Sequence, residues 1–254
     1  MKREEYRKIA EVGENMWWFR ALHRNLLNAL AVFLPSLNGR LLDGGGGPGA
    51  FLRICGSTFE TSAVIGLDMD RESLGVASQR SHGRVVRGSV NALPFKNDHF
   101  TAYISADVLY HQAAVPEEVI SEAFRCLEPG GILVVSVPAY EWMYSCHDQR
   151  VDGARRYTRA SLARIIQRSG FEIEYLTYWN TLLFGLMILR RKVLQFLDRG
   201  SDLRMMPYPL ERLLNAIMIF EGVLLSVGMR LRLPVLPFGG SVMAIARRPL
   251  GNVT

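Results

Sequence analysis

The stretch Leu41-Leu42-Asp43-Gly44-Gly45-Gly46-Gly47-Pro48-Gly49-Ala50 allows very few backbones. Two apolar residues lead into an acid, glycines follow almost unbroken, and Ala50-Phe51-Leu52-Arg53-Ile54 can open a helix. That order suits a buried strand ending at a turn where a ligand comes within touching distance of the backbone. A Cβ there would block both the tight turn and the approach. A purely structural turn has no use for so many glycines, since each costs conformational entropy without packing in return. Asp43 narrows the ligand further. A carboxylate beside the turn disfavours a pyrophosphate and favours a cationic or hydroxyl-bearing group.

Around this turn, strand-like and helix-like segments alternate. A helix over 21–34 ends at Pro35, and a strand over 39–43 feeds the glycine turn and a helix over 49–58. Ser62–Asp68 is a short buried strand ending in an acid, and Asp70 caps the helix after it. Further strands are expected over 83–87, Phe100–Ser105, Ile132–Val137, 171–179 and Ser241–Ala246. Helices are expected from Pro116, where Pro and two acids mark a helix start, and over Thr158–Gly170. Pro129-Gly130-Gly131 is expected to break the chain, and apolar helical segments occupy 180–198 and 209–232. This pattern predicts an α/β fold: a Rossmann-like, seven-strand, mostly parallel sheet with helices on both faces and a C-terminal apolar helical elaboration before the last strand. The expected organisation is an N-terminal helical cap (1–37), a core (38–180), the apolar elaboration (181–236), and a final strand with its tail (237–254).

In such a sheet, ligands sit outside the carboxyl ends of the strands. Asp43 and the glycines fall on that edge, as does Asp68, an acid about 20 residues after the glycine turn and placed to accept from ribose hydroxyls. Met69 beside it offers an apolar surface to a base. The edge therefore reads as a nucleoside site.

The residues that build it resemble a known family. Asp43 followed by Gly45, Gly47 and Gly49 is similar to the first motif of class I S-adenosylmethionine-dependent methyltransferases. Gly66-Leu67-Asp68 resembles their second motif and Gly88-Ser89-Val90-Asn91-Ala92-Leu93-Pro94-Phe95 their third. Ser105-Ala106-Asp107-Val108-Leu109-Tyr110-His111 and Leu127-Glu128-Pro129-Gly130-Gly131-Ile132-Leu133 resemble the two that follow. The likeness runs from about 38 to 180 with the elements in order. It implies S-adenosyl-L-methionine as cofactor and S-adenosyl-L-homocysteine as product. Asp43 and the backbone of Gly44, Gly45, Gly47 and Gly49 would hold the methionine part, and Asp68 the ribose. Met69, Ser89 and Val90 would flank the adenine, and Ala106 the sulfonium. Ser89 departs from the acid many relatives carry there.

Residues 145–157 resemble a subgroup often linked to glycolipid or cell-envelope pathways, which also tends to carry a Trp-Trp-Phe-Arg segment, here Trp17–Arg20, and to end in apolar helices. Gly153 stands where that subgroup would have a second histidine. His147 and Asp148 read either as a general base with its orienting acid or as a loop salt bridge and turn. Arg155 and Arg156 read as an anion clamp or as a solvated basic segment. Tyr157 either donates to substrate or caps a helix, while His111 and Trp18 are substrate-side or structural. No metal is expected.

Composition bounds the partners. With 49% hydrophobic and 21% charged residues the chain is globular, and its three cysteines (Cys55, Cys126, Cys146) make neither a disulfide framework nor a zinc pattern. A cytoplasmic setting is the simplest expectation; the N-terminus lacks a signal-peptide core, and no run reaches about 18 apolar residues. The net charge of +6 is modest, and no aromatic stripe lies within a basic stretch, so nucleic acid is not expected. Apolar helices with basic ends suit a membrane surface or a lipid pocket, or else a sheet cover or dimer interface. The expected activity is methyl transfer to a small, apolar or lipid-linked acceptor, with O-methylation favoured. An NAD-dependent oxidoreductase and a non-catalytic cofactor-binding relative are the alternatives.

Overall fold

The computed structural model describes residues 9–34, 39–59, 63–80, 84–193 and 205–251. Among them, seven strands form one sheet in the order β3-β2-β1-β4-β5-β7-β6. The strands are β1 (Arg40–Gly44), β2 (Ala63–Asp68), β3 (Val85–Arg87), β4 (Phe100–Ala106), β5 (Leu127–Pro138), β6 (Glu172–Trp179) and β7 (Ser241–Arg247). All pairings are parallel except those of β7, which runs antiparallel between β5 and β6. The chain builds outward from β1 to β3 and then restarts at β4 on the other side of β1. That reversal opens a crevice at the carboxyl ends of β1 and β4.

Both faces of the sheet are covered, and the strand period of two divides the core accordingly. Leu41, Ala102, Ile104, Ile132, Val134, Met243 and Ile245 point to one apolar cluster. It is shared with α1 (Trp17–Phe33), α2 (Ala50–Thr58) and α8 (Tyr208–Leu231). Leu42, Tyr103, Leu133, Val135, Val137, Val242 and Ala244 point to the other, packed against α4 (Pro116–Cys126) and α6 (Arg159–Arg168). Each such buried aliphatic side chain contributes roughly 1.5–3 kcal/mol. Further helices are α3 (Arg71–Arg80), α5 (Cys146–Arg150) and α7 (Phe184–Ile188), and residues 9–12 are also helical.

Local signals act where the sequence put them. Asp70 Oδ1 accepts from Ser73 N at 2.7 Å and caps α3. Thr158 Oγ1 accepts from Ser161 N at 3.2 Å, and Ser161 Oγ accepts from Thr158 N at 2.9 Å, closing a box at the start of α6.

Three expectations need correction. Pro129-Gly130-Gly131 does not break the chain: β5 starts at Leu127 and absorbs the segment as a register shift against β4, with Gly130 at φ +82°. The helix expected over 21–34 starts earlier, at Trp17, where Glu211 Oε2 on α8 accepts from Trp17 N at 3.0 Å and supplies a cap from far along the chain. Segment 180–198 is not one long helix: α7 has five residues and passes into a π-helical turn at Leu189–Val193, while 194–198 lie outside the described residues.

The buried carboxylate of Glu221, on α8, fixes the start of this segment by accepting from the backbone N–H groups of Asn180, Thr181 (2.8 Å) and Leu182 (2.9 Å). Glu221→Ala is expected to lower unfolding free energy by about 2–3 kcal/mol in urea melts, because three N–H groups lose a charged acceptor.

Candidate functional site

The glycine turn hangs from the end of β2. Leu67 O accepts from Gly45 N (2.7 Å) and Gly46 N (3.2 Å), and Asp68 Oδ2 accepts from Gly47 N (3.0 Å). Gly45, Gly47 and Gly49 take φ of +79°, +54° and +77°, a backbone that L side chains rarely adopt. A Cβ on Gly45 would also lie 2.4 Å from Val108 Cγ2. Beneath the turn, Asp43 is buried and its Oδ2 has no hydrogen-bond partner. Burial first, and the nearby Asp68 second, push the Asp43 carboxyl up to about 7. Burial also raises Asp68, while the backbone N–H groups of Asp70 and Gly47 pull it back.

These residues line one end of a cavity of about 350 Å³. Gly45, Gly46, Gly47, Asp68, Met69, Val90 and Ala106 are on its wall. Gly44 belongs to β1, and Gly49 opens α2 from behind the turn. Ser89 is not on the wall: it sits between Gly88 and Val90, with its Oγ accepting from Asn91 N at 3.2 Å. Asp107 is a wall residue that sequence reasoning did not single out. It has φ +52°, its Oδ1 is buried without a partner, and burial pushes its carboxyl up to about 7 against the pull of Arg191. The signal was available, since it closely follows the end of β4 as Asp43 and Asp68 mark the ends of β1 and β2.

The rest of the lining carries a different chemistry, and its Arg191 also acts on Asp107. Trp17 and Trp18 from α1, His147 and Val151 around α5, Arg156, and Met187, Arg190 and Arg191 from α7 and its π turn form the wall there. Trp18 packs on Trp179 with ring centroids 5.9 Å apart. His111 also faces the cavity, and burial pushes its imidazole down to about 4, so it is neutral at pH 7. It bridges Gly153 through backbone. A Cβ at Gly153 would meet Tyr110 Cε2 and Asp148 O at 3.0 Å, so a histidine side chain there would displace its neighbours.

The structure gives several of the substrate-side residues partners within the protein. Asp148 is buried, and its Oδ1 accepts from Arg156 Nε (3.0 Å) and Nη2 (2.7 Å). Its Oδ2 accepts from Ser145 N (2.8 Å) and meets Arg191 Nη1 at 3.3 Å. The carboxylate therefore holds two arginines and a helix cap rather than orienting an imidazole. Arg156 lines the cavity, but the Asp148 pair and Ala139 O (3.0 Å) take up its donors. Arg155 is not an anion clamp: its Nη1 is spent on the carbonyls of Leu109, His111 and Ala114. Tyr157 is buried in the core, and its hydroxyl donates to Leu109 O at 2.8 Å, away from the cavity wall.

Residues 42–135 match a family model described as a methyltransferase domain. Over that segment the chain is similar to class I S-adenosylmethionine-dependent methyltransferases. An uncharacterized methyltransferase of Mycolicibacterium vanbaalenii is 34% identical to it over 131 residues, covering 47% of this chain and 49% of the relative. One from Mycobacterium marinum is 33% identical over 147 residues, covering 56% and 55%. The chain thus spans about half the length of the curated relatives it matches. Among solved structures, a chain from the complex of the Haloferax volcanii Trm112 methyltransferase activator with a methyltransferase superposes with TM-score 0.63 at 19% identity, covering 97% of both chains. The geranyl diphosphate C-methyltransferase of Streptomyces coelicolor, solved with Mg2+, geranyl diphosphate and S-adenosylhomocysteine, has TM-score 0.62 at 14% identity and covers 90% of this chain and 79% of that one.

S-adenosylmethionine is the cofactor this likeness supports, and the acidic part of the cavity fits it. Two buried carboxylate oxygens without partners, on Asp43 and Asp107, can meet an ammonium and a sulfonium. A Cβ at Gly46 would lie 2.4 Å from Asp43 Oδ2 and close that approach. A pyrophosphate would meet three carboxylates instead, which weighs against a nicotinamide cofactor.

A pH dependence follows. The folded protein holds the Asp43 proton more tightly than the unfolded chain does, so stability of the cofactor-free protein falls as pH rises from the ordinary carboxylate range of 3.8 towards 7. Asp43→Asn should flatten that decline in thermal melts. The ionised form attracts the cofactor's cation, so S-adenosylhomocysteine affinity should rise over about pH 6–8, and Asp43→Asn should lose roughly ten-fold or more by calorimetry.

Proposed function

We propose that the protein transfers the methyl group of S-adenosylmethionine to a hydroxyl of a small, apolar or lipid-linked acceptor. One observation carries this reading: a single cavity is lined by the acidic cofactor residues, by the apolar Trp18, Val151 and Met187, and by His147, Arg190 and Arg191. An amphipathic acceptor with an anionic or hydroxyl head complements that mixed lining.

S-adenosylmethionine supplies a methyl group already activated as a sulfonium substituent and leaves as S-adenosylhomocysteine. The chain's own residues bind, align and exclude water. Asp43 and Asp107 would hold the cationic groups, the free lone pairs of Asp68 would accept from the ribose, and Met69 and Val90 would flank the base. Trp17 and Trp18, brought over the cavity by the Glu211 cap on α1, close its outer side. His147 accepts the proton from the acceptor hydroxyl, and neutral His111 lies on the same wall. The buried Asp148–Arg156 pair holds α5 against the end of β5 and keeps His147 in place.

Purified protein with labelled methyl donor is expected to label an organic-extractable fraction of a cell extract. His147→Ala should lower kcat by about 10²-fold while leaving S-adenosylhomocysteine binding intact. Label confined to the polar fraction, or a His147→Ala enzyme with unchanged kcat, would overturn this reading. Tyr157→Phe should cost about 1 kcal/mol of stability with kcat nearly unchanged, because its hydroxyl serves the core.

A further inference from the structure

The outward face of α8 is apolar from end to end. Between Arg212 and Arg230 the exposed residues are Leu213, Ala216, Ile219, Phe220, Val223, Leu224 and Val227, with no polar side chain among them. The two acids of this helix, Glu211 and Glu221, are turned inward and spent on backbone N–H groups of α1 and of the segment before α7. By length and composition α8 could cross a membrane. Its inner face, however, is packed on α1 in the sheet's core through Leu214, Met218 and Leu225, so the helix lies along the body of the protein. α7 repeats the arrangement on a smaller scale. Leu182, Leu186 and Leu189 are exposed on one side, while Met187, Arg190 and Arg191 line the cavity on the other. Glu221 ties the start of that segment to the middle of α8.

We propose that the outward faces of α8 and α7 form a docking surface for an anionic lipid bilayer. A helix with one apolar face, basic ends and its other face held by protein lies in the plane of the headgroups with that apolar face buried beneath them. Arg212 and Arg230 stand on the rim of the face, where lipid phosphates neutralise them, and exposed Lys192 adds a third cation beside α7. A second copy of the chain fits less well. Arg212 and Arg230 are nine residues either side of Glu221, so a two-fold pairing of this face about the middle of α8 sets like charges together at both ends, whether the helices run parallel or antiparallel. Docking in this way also places the α7 wall of the cavity against the bilayer, which is where the lipid-linked acceptor of the reading above would enter. The docking itself does not depend on that acceptor.

The test is flotation of the full chain with phosphatidylglycerol–phosphatidylcholine vesicles and with phosphatidylcholine vesicles alone, beside light-scattering measurement of oligomeric state. Thermal stabilisation by S-adenosylhomocysteine verifies that each variant is folded, and methyl transfer is not used, so failure of the acceptor reading leaves this result intact. Wild-type protein should float with the anionic vesicles. The Phe220→Glu/Val227→Glu variant should lose about ten-fold or more in partitioning, and each of Arg212→Gln and Arg230→Gln about five-fold. Absence of vesicle binding, equal binding to neutral vesicles, or glutamate variants that dissociate an oligomer while partitioning unchanged would each overturn the proposal.

Discussion

The end of β2 carries the glycine turn, and the rest of the site depends on that attachment. Leu67 O and the Asp68 carboxylate take three successive N–H groups from the turn, so the backbone must pass directly over Asp43. No side chain can enter between them, and no donor is left for Asp43 Oδ2. The fold thereby buries an acid without a partner at the one place where a cationic cofactor comes closest to backbone. Such a group costs stability while it is ionised and alone, and a positively charged ligand offsets that cost.

Asp107 repeats the unpartnered acid at the switch-point crevice, and Asp68, held by backbone N–H groups, adds a third carboxylate. Asp43, Asp68 and Asp107 mark the ends of β1, β2 and β4, and all three are pushed towards protonation by burial. The lining also carries positive charge. Asp148 accepts from Arg156 and meets Arg191, and Arg191 in turn pulls on the Asp107 carboxyl, so acids and arginines are held together in one network along the cavity.

What the sequence made legible was local. The Gly45, Gly47, Gly49 spacing corresponds to three positive φ angles, the acid ending β2 to a wall residue, and the Asp70 and Thr158 caps to hydrogen bonds over three residues. What it hid was the allocation of partners at a distance. Arg155 and Arg156 are adjacent and chemically identical, yet one is consumed by the carbonyls of the 109–114 loop and the other by Asp148. Tyr157 has a hydroxyl suited to catalysis, but Leu109 O claims it. Glu211 and Glu221 fall in an apolar segment, and they cap backbone that arrives from Trp17 and from before α7. A donor inventory is readable from residue types; which acceptor each donor meets is a property of the packed sheet.

Isotope-edited NMR titration of the aspartate carboxyl carbons, with and without S-adenosylhomocysteine, reaches the Asp43 carboxyl directly. In the free protein Asp43 should titrate near 7, and with the cofactor product bound its transition should move down to the ordinary carboxylate range or below. An Asp43 that already titrates in the ordinary range when free, or whose titration does not respond to the ligand, would contradict a cofactor site built around this unpartnered acid.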